Sequence, residues 1–493
     1  MRKTTRNWLQ CGLALALLAG LSQAAEKHMS PKLIAGRPVL GLGNFDLSSQ
    51  HYLVQEYLLS GDAVSYRAVG VPGDDGKWNV EVDQHAPFTT RLVVVRPEEP
   101  AKFNGTVVVE WLNVSAGTDG APDWSYTHRE LIRQGYAYVG VSAQKGGIDG
   151  GGMNLGIPGV LPIKKADPQR YADLNHPGDA FAYDIYTQAA QAIRHARDSH
   201  LLGPLIPKRV IATGESQSAG YLTTYVDAIE PVAKAFDGFL IHSRFGSGAP
   251  ITGAYVASAA ATAVKGLHIR TDMKKPVVIF ISESDLMFPG GYLSARQPDN
   301  DYLRTWEVAG TAHADTYTLG GAAVDSGTAP IEVLAKTYAP TTNLMGMPLV
   351  QPMNSAPQHH YVMQAALAAL NRWVVAGQAP AQGQRLNTTE STPAQLALDE
   401  HGNATGGVRS PWMDVPTAHL SGVGQTGPGM VVLFGVTQPF DAAKLTALYP
   451  GGQADYVGKF NTSLKSAIAA GFILPADETE IKALAAYSFS AGP

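Results

Sequence analysis

The sequence predicts an α/β protein: a mostly parallel central sheet with helices on both faces, long insertions and a C-terminal extension. Three observations lead there. Up to about residue 380, short β-branched runs alternate with helical patterns, the arrangement that buries a parallel sheet between two layers of helices. One of these runs, Arg209-Val-Ile-Ala-Thr-Gly214, stops at a glycine; a serine stands two residues on at 216, and a helical pattern begins at once. Finally, Ser216, a carboxylate at 283 or 285 and His313 each fall at the carboxyl end of a predicted strand, where open parallel sheets hold their ligands.

The elements follow in order. Arg2, Lys3 and Arg6 precede an apolar run from Cys11 to Leu21 and a small-x-small site at Ser22-Gln-Ala24, so residues 1–24 are expected to be a signal peptide and the protein to be exported, periplasmic or secreted. The apolar run is shorter than the roughly 20 residues that span a bilayer, and no membrane span is expected later in the chain. Cys11 is the only cysteine and would leave with the leader, which rules out disulfides, thiolate catalysis and cysteine-zinc sites in the mature protein. Residues 25–380 are expected to form the core. Tyr52–Leu58 and Thr90–Val95 are predicted antiparallel strands, Thr106–Leu112 and Tyr136–Ser142 central buried ones, with a helix over Asp123–Gln134 between them. A Gly-rich insertion at about 145–180 is long enough to be the wall or lid of a site, or a surface excursion. A helix from about Gly178 carries Ile185, Ala189, Ile193 and Ala196 on one face; the serine strand and its helix follow, with Leu222, Tyr225, Val226 and Ile229 inward. Phe236–His242, Pro276–Ile281 and Leu303–Ala309 are further strands. A helix over Pro357–Ala376, with Val362, Ala366, Leu370 and Trp373 inward, is stopped by Gly377 and Pro380. Residues 381–493 lack strands enough for a sheet of their own and are expected to wrap the core as an extension.

The chemistry is read from the same positions. A strand-to-helix turn that thrusts Ser216 outward forces its neighbours two before and two after together, and Gly214 and Ser218 are small enough. The chain order serine, carboxylate, histidine is that of an α/β-hydrolase fold. Ser216 would be the nucleophile and His313 its base, titrating near free imidazole. Asp285 is the preferred acid to orient His313, with Glu283 as the alternative, and Asp315 is expected to cap the segment that follows. The oxyanion would be held by the N–H of Gln217 and by that of Leu112 or Asn113. Glu110 is expected to anchor a loop, and Trp111, Trp124 and Tyr126 to be core aromatics or the lining of an apolar pocket.

Gly214-Glu-Ser-Gln-Ser218, His242-Ser-Arg244, Glu283-Ser-Asp285, Ala295-Arg-Gln-Pro-Asp299 and Trp306-Glu-Val-Ala-Gly-Thr-Ala-His-Ala-Asp315 resemble a family of secreted bacterial "alpha/beta hydrolase domain" proteins, read as serine carboxylesterases with a G-x-S-x-S variant of the nucleophile motif. Gly402-Asn-Ala-Thr-Gly-Gly-Val-Arg409 and Leu433-Phe-Gly-Val-Thr-Gln-Pro-Phe440 carry the resemblance into the C-terminal region, so it covers nearly the whole mature chain. It implies a serine hydrolase and names no substrate.

Composition narrows the alternatives. The chain has 493 residues, 45% of them hydrophobic, 16% charged, with 52 Gly and 32 Pro, which suits a large core carrying long ordered loops. Loss of the leader takes the formal charge from −5 to −8, and no basic stripe is present, so nucleic acid is not an expected partner. Gly150-Gly-Gly152 lacks the Lys-Ser/Thr ending of a phosphate loop. The adjacent His359 and His360 would point to different sides of a helix, and no H-E-x-x-H occurs, so neither metal nor cofactor is expected. The expected function is hydrolysis of a small-molecule carboxylic ester through an acyl-enzyme. An acyltransferase, lactonase or amidase on the same fold, or a non-catalytic binding module on a hydrolase scaffold, are the alternatives.

Overall fold

The structure, a computed structural model, describes residues 31–151, 159–253, 263–344, 346–427 and 429–491. The expected signal peptide and a stretch of the Gly-rich insertion, 152–158, lie outside the described residues.

Nine strands form one sheet: β1 (Lys32–Ile34), β2 (Tyr52–Ala68), β3 (Val80–Pro97), β4 (Thr106–Trp111), β5 (Ala137–Val141), β6 (Arg209–Glu215), β7 (Gly238–His242), β8 (Val277–Ile281) and β9 (Leu303–Glu307), in the order β1-β2-β3-β5-β4-β6-β7-β8-β9. From β5 to β9 every pairing is parallel; β1, β2 and β3 run antiparallel at one edge. The β-branched runs account for the parallel part. Strands buried on both faces need apolar side chains at every position, and each feeds two cores by alternation. Val107, Val109, Trp111, Val210, Ala212, Ile279 and Ile281 pack on one face with Ile185, Ile193 and Leu222. Val108, Leu112, Ile211, Val278 and Phe280 pack on the other with Trp124, Leu131, Val362 and Leu370. The helices that cover these faces are α1 (Pro122–Arg133), α2 (Ala182–Arg194), α3 (Gln217–Thr224) and, after a short α4 (Glu283–Met287), α5 (Gln358–Ala376).

The antiparallel pair is longer than its sequence announces. Tyr52 pairs with Pro97 and the ladder runs out to Ala68 opposite Val80. Its outer halves carry the exposed Asp62, Asp83, Gln84 and His85, which interrupt the apolar pattern, while Ala63, Tyr66 and Phe88 are buried in the core and Val80 and Ala86 pack against it. The Gly-rich insertion is tied to this hairpin: Arg170 Nε and Tyr171 Oη donate to Glu56 at 2.7 and 2.9 Å, and Thr89 bridges Asn175.

β4 lies between β5 and β6, so the chain leaves β4 toward one edge and returns for β6 on the other side. That reversal opens a crevice at the carboxyl ends of β4 and β6.

Beyond α5 the chain runs back along the core. Trp306 Nε1 donates to the Ala381 carbonyl at 2.9 Å and Val308 bridges Val408 in parallel. A small hairpin, β10 (Asn343–Leu344) and β11 (Met347–Pro348), precedes α5; the region after it holds the pair β12 (Ala418–Ser421) and β13 (Val436–Pro439) and, among its helices, α6 (Ala442–Leu448), α7 (Gly452–Ala469) and α8 (Glu478–Ala491). Trp412, Tyr456, Phe460 and Leu464 are buried in the same hydrophobic cluster as one face of the sheet.

Candidate active site

β6 ends at Glu215, and Ser216 takes φ 60°, ψ −117° before α3 begins at Gln217. A non-glycine residue held at positive φ stores strain, and here it aims one hydroxyl out of the turn. The small residues around it are required by contact: a Cβ on Gly214 would lie 3.1 to 3.3 Å from the carbonyl oxygen, carbonyl carbon and Cβ of Ser218. The Ser216 N–H donates to the His242 carbonyl at 3.0 Å, which fixes the turn to β7.

His313 and Asp285 meet this serine. His313 Nε2 is 2.7 Å from Ser216 Oγ, and its Nδ1 is 2.5 Å from Asp285 Oδ1. Asp285 stands three residues after Ser282, the N-cap of α4, in a reciprocal capping box. Ser282 N and Oγ donate to Asp285 Oδ2 at 2.7 and 2.6 Å, leaving Oδ1 for the imidazole. The His313 turn is itself held, since its N–H donates to Ser284 Oγ at 2.8 Å and Phe245 stacks on its ring with centroids 5.4 Å apart.

Glu283 points elsewhere. It accepts from the N–H groups of Gly310 at 2.5 Å and Gly422 at 2.8 Å and from Ser421 Oγ at 3.1 Å, so it braces the loops and does not touch the imidazole. Asp315 caps the next turn by accepting from the Thr318 N–H at 2.9 Å.

The N–H groups expected to hold an oxyanion have the following surroundings. Gln217 starts a helix, so its N–H has no partner in a preceding turn. The N–H groups of Leu112 and Asn113 donate to the carbonyls of Val141 at 3.2 Å and Gly120 at 2.9 Å. The next N–H along, that of Val114, faces the Gln217 side-chain oxygen at a loose 3.4 Å. Asn113 serves through its side chain, whose Nδ2 donates to Glu215 Oε2 at 3.0 Å. The first helical turn of the Gly-rich insertion, Lys145–Asp149, packs against this loop, because a Cβ on Gly146 or Gly147 would touch Val114.

Charge in the site is concentrated on three groups. Burial opposes the imidazolium of His313, but Asp285 and then Glu215 outweigh it and lift the ring to about 8, above the free-imidazole value expected from sequence. Burial would raise Asp285 as well, yet its contact with His313 holds it below the usual carboxylate range. Glu215 was given no part in the sequence reading. Its Oε1 lies 3.3 Å from His313 Nε2, and burial pushes it up to about 7 against the pull of His313. Burial raises Glu283 to about 7 too.

Beneath the serine turn runs a line of fully buried polar groups. Thr213 Oγ1 donates to Asp123 at 2.6 Å, Asp123 meets His242 Nδ1 at 2.8 Å, and His242 Nε2 meets His359 Nε2 at 3.0 Å. His359 Nδ1 lies 3.2 Å from Asp315. Two ring nitrogens that close share one proton, so one imidazole donates and the other accepts. Burial keeps His359 below the usual imidazole range.

Trp111, Trp124 and Tyr126 are core: Trp111 packs on Tyr183, Tyr186 and Tyr221, and Trp124 Nε1 donates to the Leu42 carbonyl. Glu110 accepts from the first N–H groups of α1, at Asp123 and Trp124, and from Tyr138 Oη. His360 stacks on Tyr317, away from His359. Among the described residues no cluster of His, Cys, Asp or Glu is arranged to hold a metal ion, and no helix is long and apolar enough to cross a membrane.

A family model described as "Alpha/beta hydrolase domain" matches residues 22–483. No curated protein matches the chain in sequence. Among solved structures, the chain is similar to an esterase from Rhizomucor miehei at 12% identity, covering 64% of this chain and 84% of that one with a TM-score of 0.28. It is similar to an acetyl xylan esterase from Paenibacillus at 14% identity, 62% and 90% coverage and a TM-score of 0.28. A Pyrococcus furiosus esterase gives 11% identity, 58% and 89% coverage and a TM-score of 0.28.

Proposed function

The chain belongs to the alpha/beta hydrolase domain family, and on that premise we propose that it is an exported serine esterase that cleaves a small-molecule carboxylic ester through an acyl-enzyme, with Ser216 as nucleophile, His313 as base and Asp285 as its orienting acid. One observation carries the reading: side chains at 216, 285 and 313 form an unbroken hydrogen-bonded line, Oγ to Nε2 at 2.7 Å and Nδ1 to Oδ1 at 2.5 Å, at the crevice where the sheet reverses direction. A binding surface has no use for a carboxylate spent on an imidazole that is spent on a serine. Export is supported by the leader pattern at residues 1–24.

In this mechanism neutral His313 takes the Ser216 hydroxyl proton at Nε2 as Oγ bonds to the ester carbon and the carbonyl π pair moves to oxygen. The N–H of Gln217 and that of Val114, once released from the Gln217 amide oxygen, receive the oxyanion; each such donor contributes about 10²–10³ in turnover. Collapse restores the carbonyl and expels the alkoxide, which takes the proton from Nε2. Water repeats the sequence on the acyl-enzyme and returns Ser216 to its resting form. Transfer to another acceptor, or attack on a lactone or amide, would use the same first half.

The test is labelling with a fluorophosphonate followed by an ester panel that varies acyl and alcohol parts separately. Folded wild-type protein should label at Ser216 and Ser216→Ala should not; an unlabelled wild type would remove the serine mechanism.

A further inference from the structure

The residue immediately before the nucleophile is an acid with little room to be anything else. Glu215 is the last residue of β6 and is buried. Its carboxylate is fixed at both oxygens, Oε2 accepting from Asn113 Nδ2 at 3.0 Å and Oε1 lying 3.3 Å from His313 Nε2. It has no lysine or arginine partner among the described residues. The titratable groups that face it are His313 from the loop after β9, His242 at the end of β7, Asp123 at the start of α1 and Asp285 on α4. A carboxylate taken out of water without a strong cation is costly, by several kcal/mol even after relaxation, and such groups persist where a charge appears beside them.

We propose that Glu215 is a positioning residue of the reaction: a second carboxylate acting on His313, on the nitrogen opposite the one held by Asp285, that favours the imidazolium formed each time Ser216 gives up its proton. The proposal rests on the reading of Ser216 and His313 given above and adds one group to it. Glu215 acts in its ionised form and neither gives nor takes the transferred proton. The proton leaves Ser216 Oγ, sits on Nε2 between Glu215 and the departing oxygen, and leaves with the alcohol. While it sits there the ring is a cation between two anions, Asp285 at Nδ1 and Glu215 at Nε2.

This arrangement has a signature that a merely structural role lacks. The carboxylate stabilises the imidazolium in the resting protein, which is inactive, as much as in the transition state, which is the point of having it. It therefore lifts the pH at which activity reaches half its plateau and lifts the plateau by the same factor. Removing the charge should lower both together, so that the acid limbs of the two profiles superpose and only the alkaline plateaus separate. The Asn113 contact survives in Glu215→Gln, because the amide oxygen can still accept.

The experiment measures the second-order rate of fluorophosphonate labelling, and kcat/KM for 4-nitrophenyl acetate, between pH 5 and 10 for wild type, Glu215→Gln and Glu215→Asp. For Glu215→Gln the half-maximal point should fall by about half to one pH unit and the plateau by about 3- to 10-fold, since one unit is one factor of ten. Glu215→Asp, which withdraws the charge by one methylene, should lie between; if the Gln variant does not fold, the same reading is taken from Asp. A plateau that falls while the half-maximal pH stays put overturns the proposal and leaves Glu215 as a brace for Asn113, and unchanged profiles overturn it too. A wild type that never labels at Ser216 removes the serine mechanism itself, an outcome distinct from either of those.

Discussion

In the proposed reaction Ser216, His313 and Asp285 have one role each, and the two contacts through His313 permit them. Removing the hydroxyl with Ser216→Ala should lower turnover by about 10⁴-fold or more while the melting temperature stays within a degree or two of wild type, as the side chain contributes little packing. The two acids separate by what they touch. Asp285→Asn keeps the shape but loses the charge that holds the imidazole tautomer, and should lower kcat by about 10⁴-fold. Glu283→Gln places an amide N–H₂ against N–H donors of Gly310 or Gly422, and should cost about 1–3 kcal/mol in stability with a far smaller loss of rate. Denaturant melts and steady-state rates on the pair check both, and the reverse ranking of rates would exchange their roles. At this scale much was legible. The serine sits at a strand end, the histidine after the last strand, and Asp285 a few residues into its turn, the place that favours it over Glu283 at the strand end. The surroundings of the expected second oxyanion donor were not legible, because the carbonyls of Val141 and Gly120, which accept from the Leu112 and Asn113 N–H groups, are neighbours made by folding. Glu215 stood in the motif in plain view, yet only its 3.3 Å distance to Nε2 gives it meaning.

Between residues and the whole, the elements hold the site by contact. The serine turn works because β6 and α3 cross without a side chain between Gly214 and Ser218. Gly214→Ala should cost about 1–3 kcal/mol by overpacking and should cut the labelling rate at Ser216, since relief of the clash must tilt α3; a melt and a labelling time course show whether it does. The buried line from Asp123 through His242 and His359 to Asp315 joins α1, β7, α5 and the turn after His313. Replacing His359 by Phe keeps the ring and removes both nitrogens, leaving His242 facing carbon. Loss of about 3 kcal/mol or more is expected, read as a lower denaturation midpoint, with activity falling because the His242 carbonyl also holds the Ser216 N–H. Among elements, the parallel strands were readable from β-branched runs such as Val277–Ile281 and the helices from their spacing at Ile185, Ala189 and Ile193. The outer half of the β2–β3 hairpin was not, since the exposed Asp62, Gln84 and His85 break up the few apolar positions, Ala63, Tyr66 and Phe88, that it buries.

Seen as one molecule, the C-terminal residues are part of the floor under the loops that carry His313 and Asp285. Gly422 sits so tightly that a Cβ there would meet Thr311 O at 2.3 Å and Ser284 N at 2.7 Å, backbone atoms of the base loop and the acid helix. Gly422→Ala should therefore lower both stability and turnover, and far-UV circular dichroism should show the secondary structure largely kept. Deleting residues 381–493 should do worse, giving aggregated protein, because Trp412, Tyr456 and Phe460 would leave a face of the shared core open to water. Asn354 ties the same parts from the other side, donating to the carbonyls of Gly310 and Ser421 at 2.9 and 3.1 Å. This placement governs timing. A ribosome delivers the chain from its amino end at about 5–20 residues per second, so His313 emerges well before Gly422, which packs against its loop, and before Ser421, which hydrogen-bonds Glu283 beside Asp285. A partly made chain carries Ser216, Asp285 and His313 and still lacks the ground they stand on, so on the proposed function activity should be absent until synthesis is nearly finished.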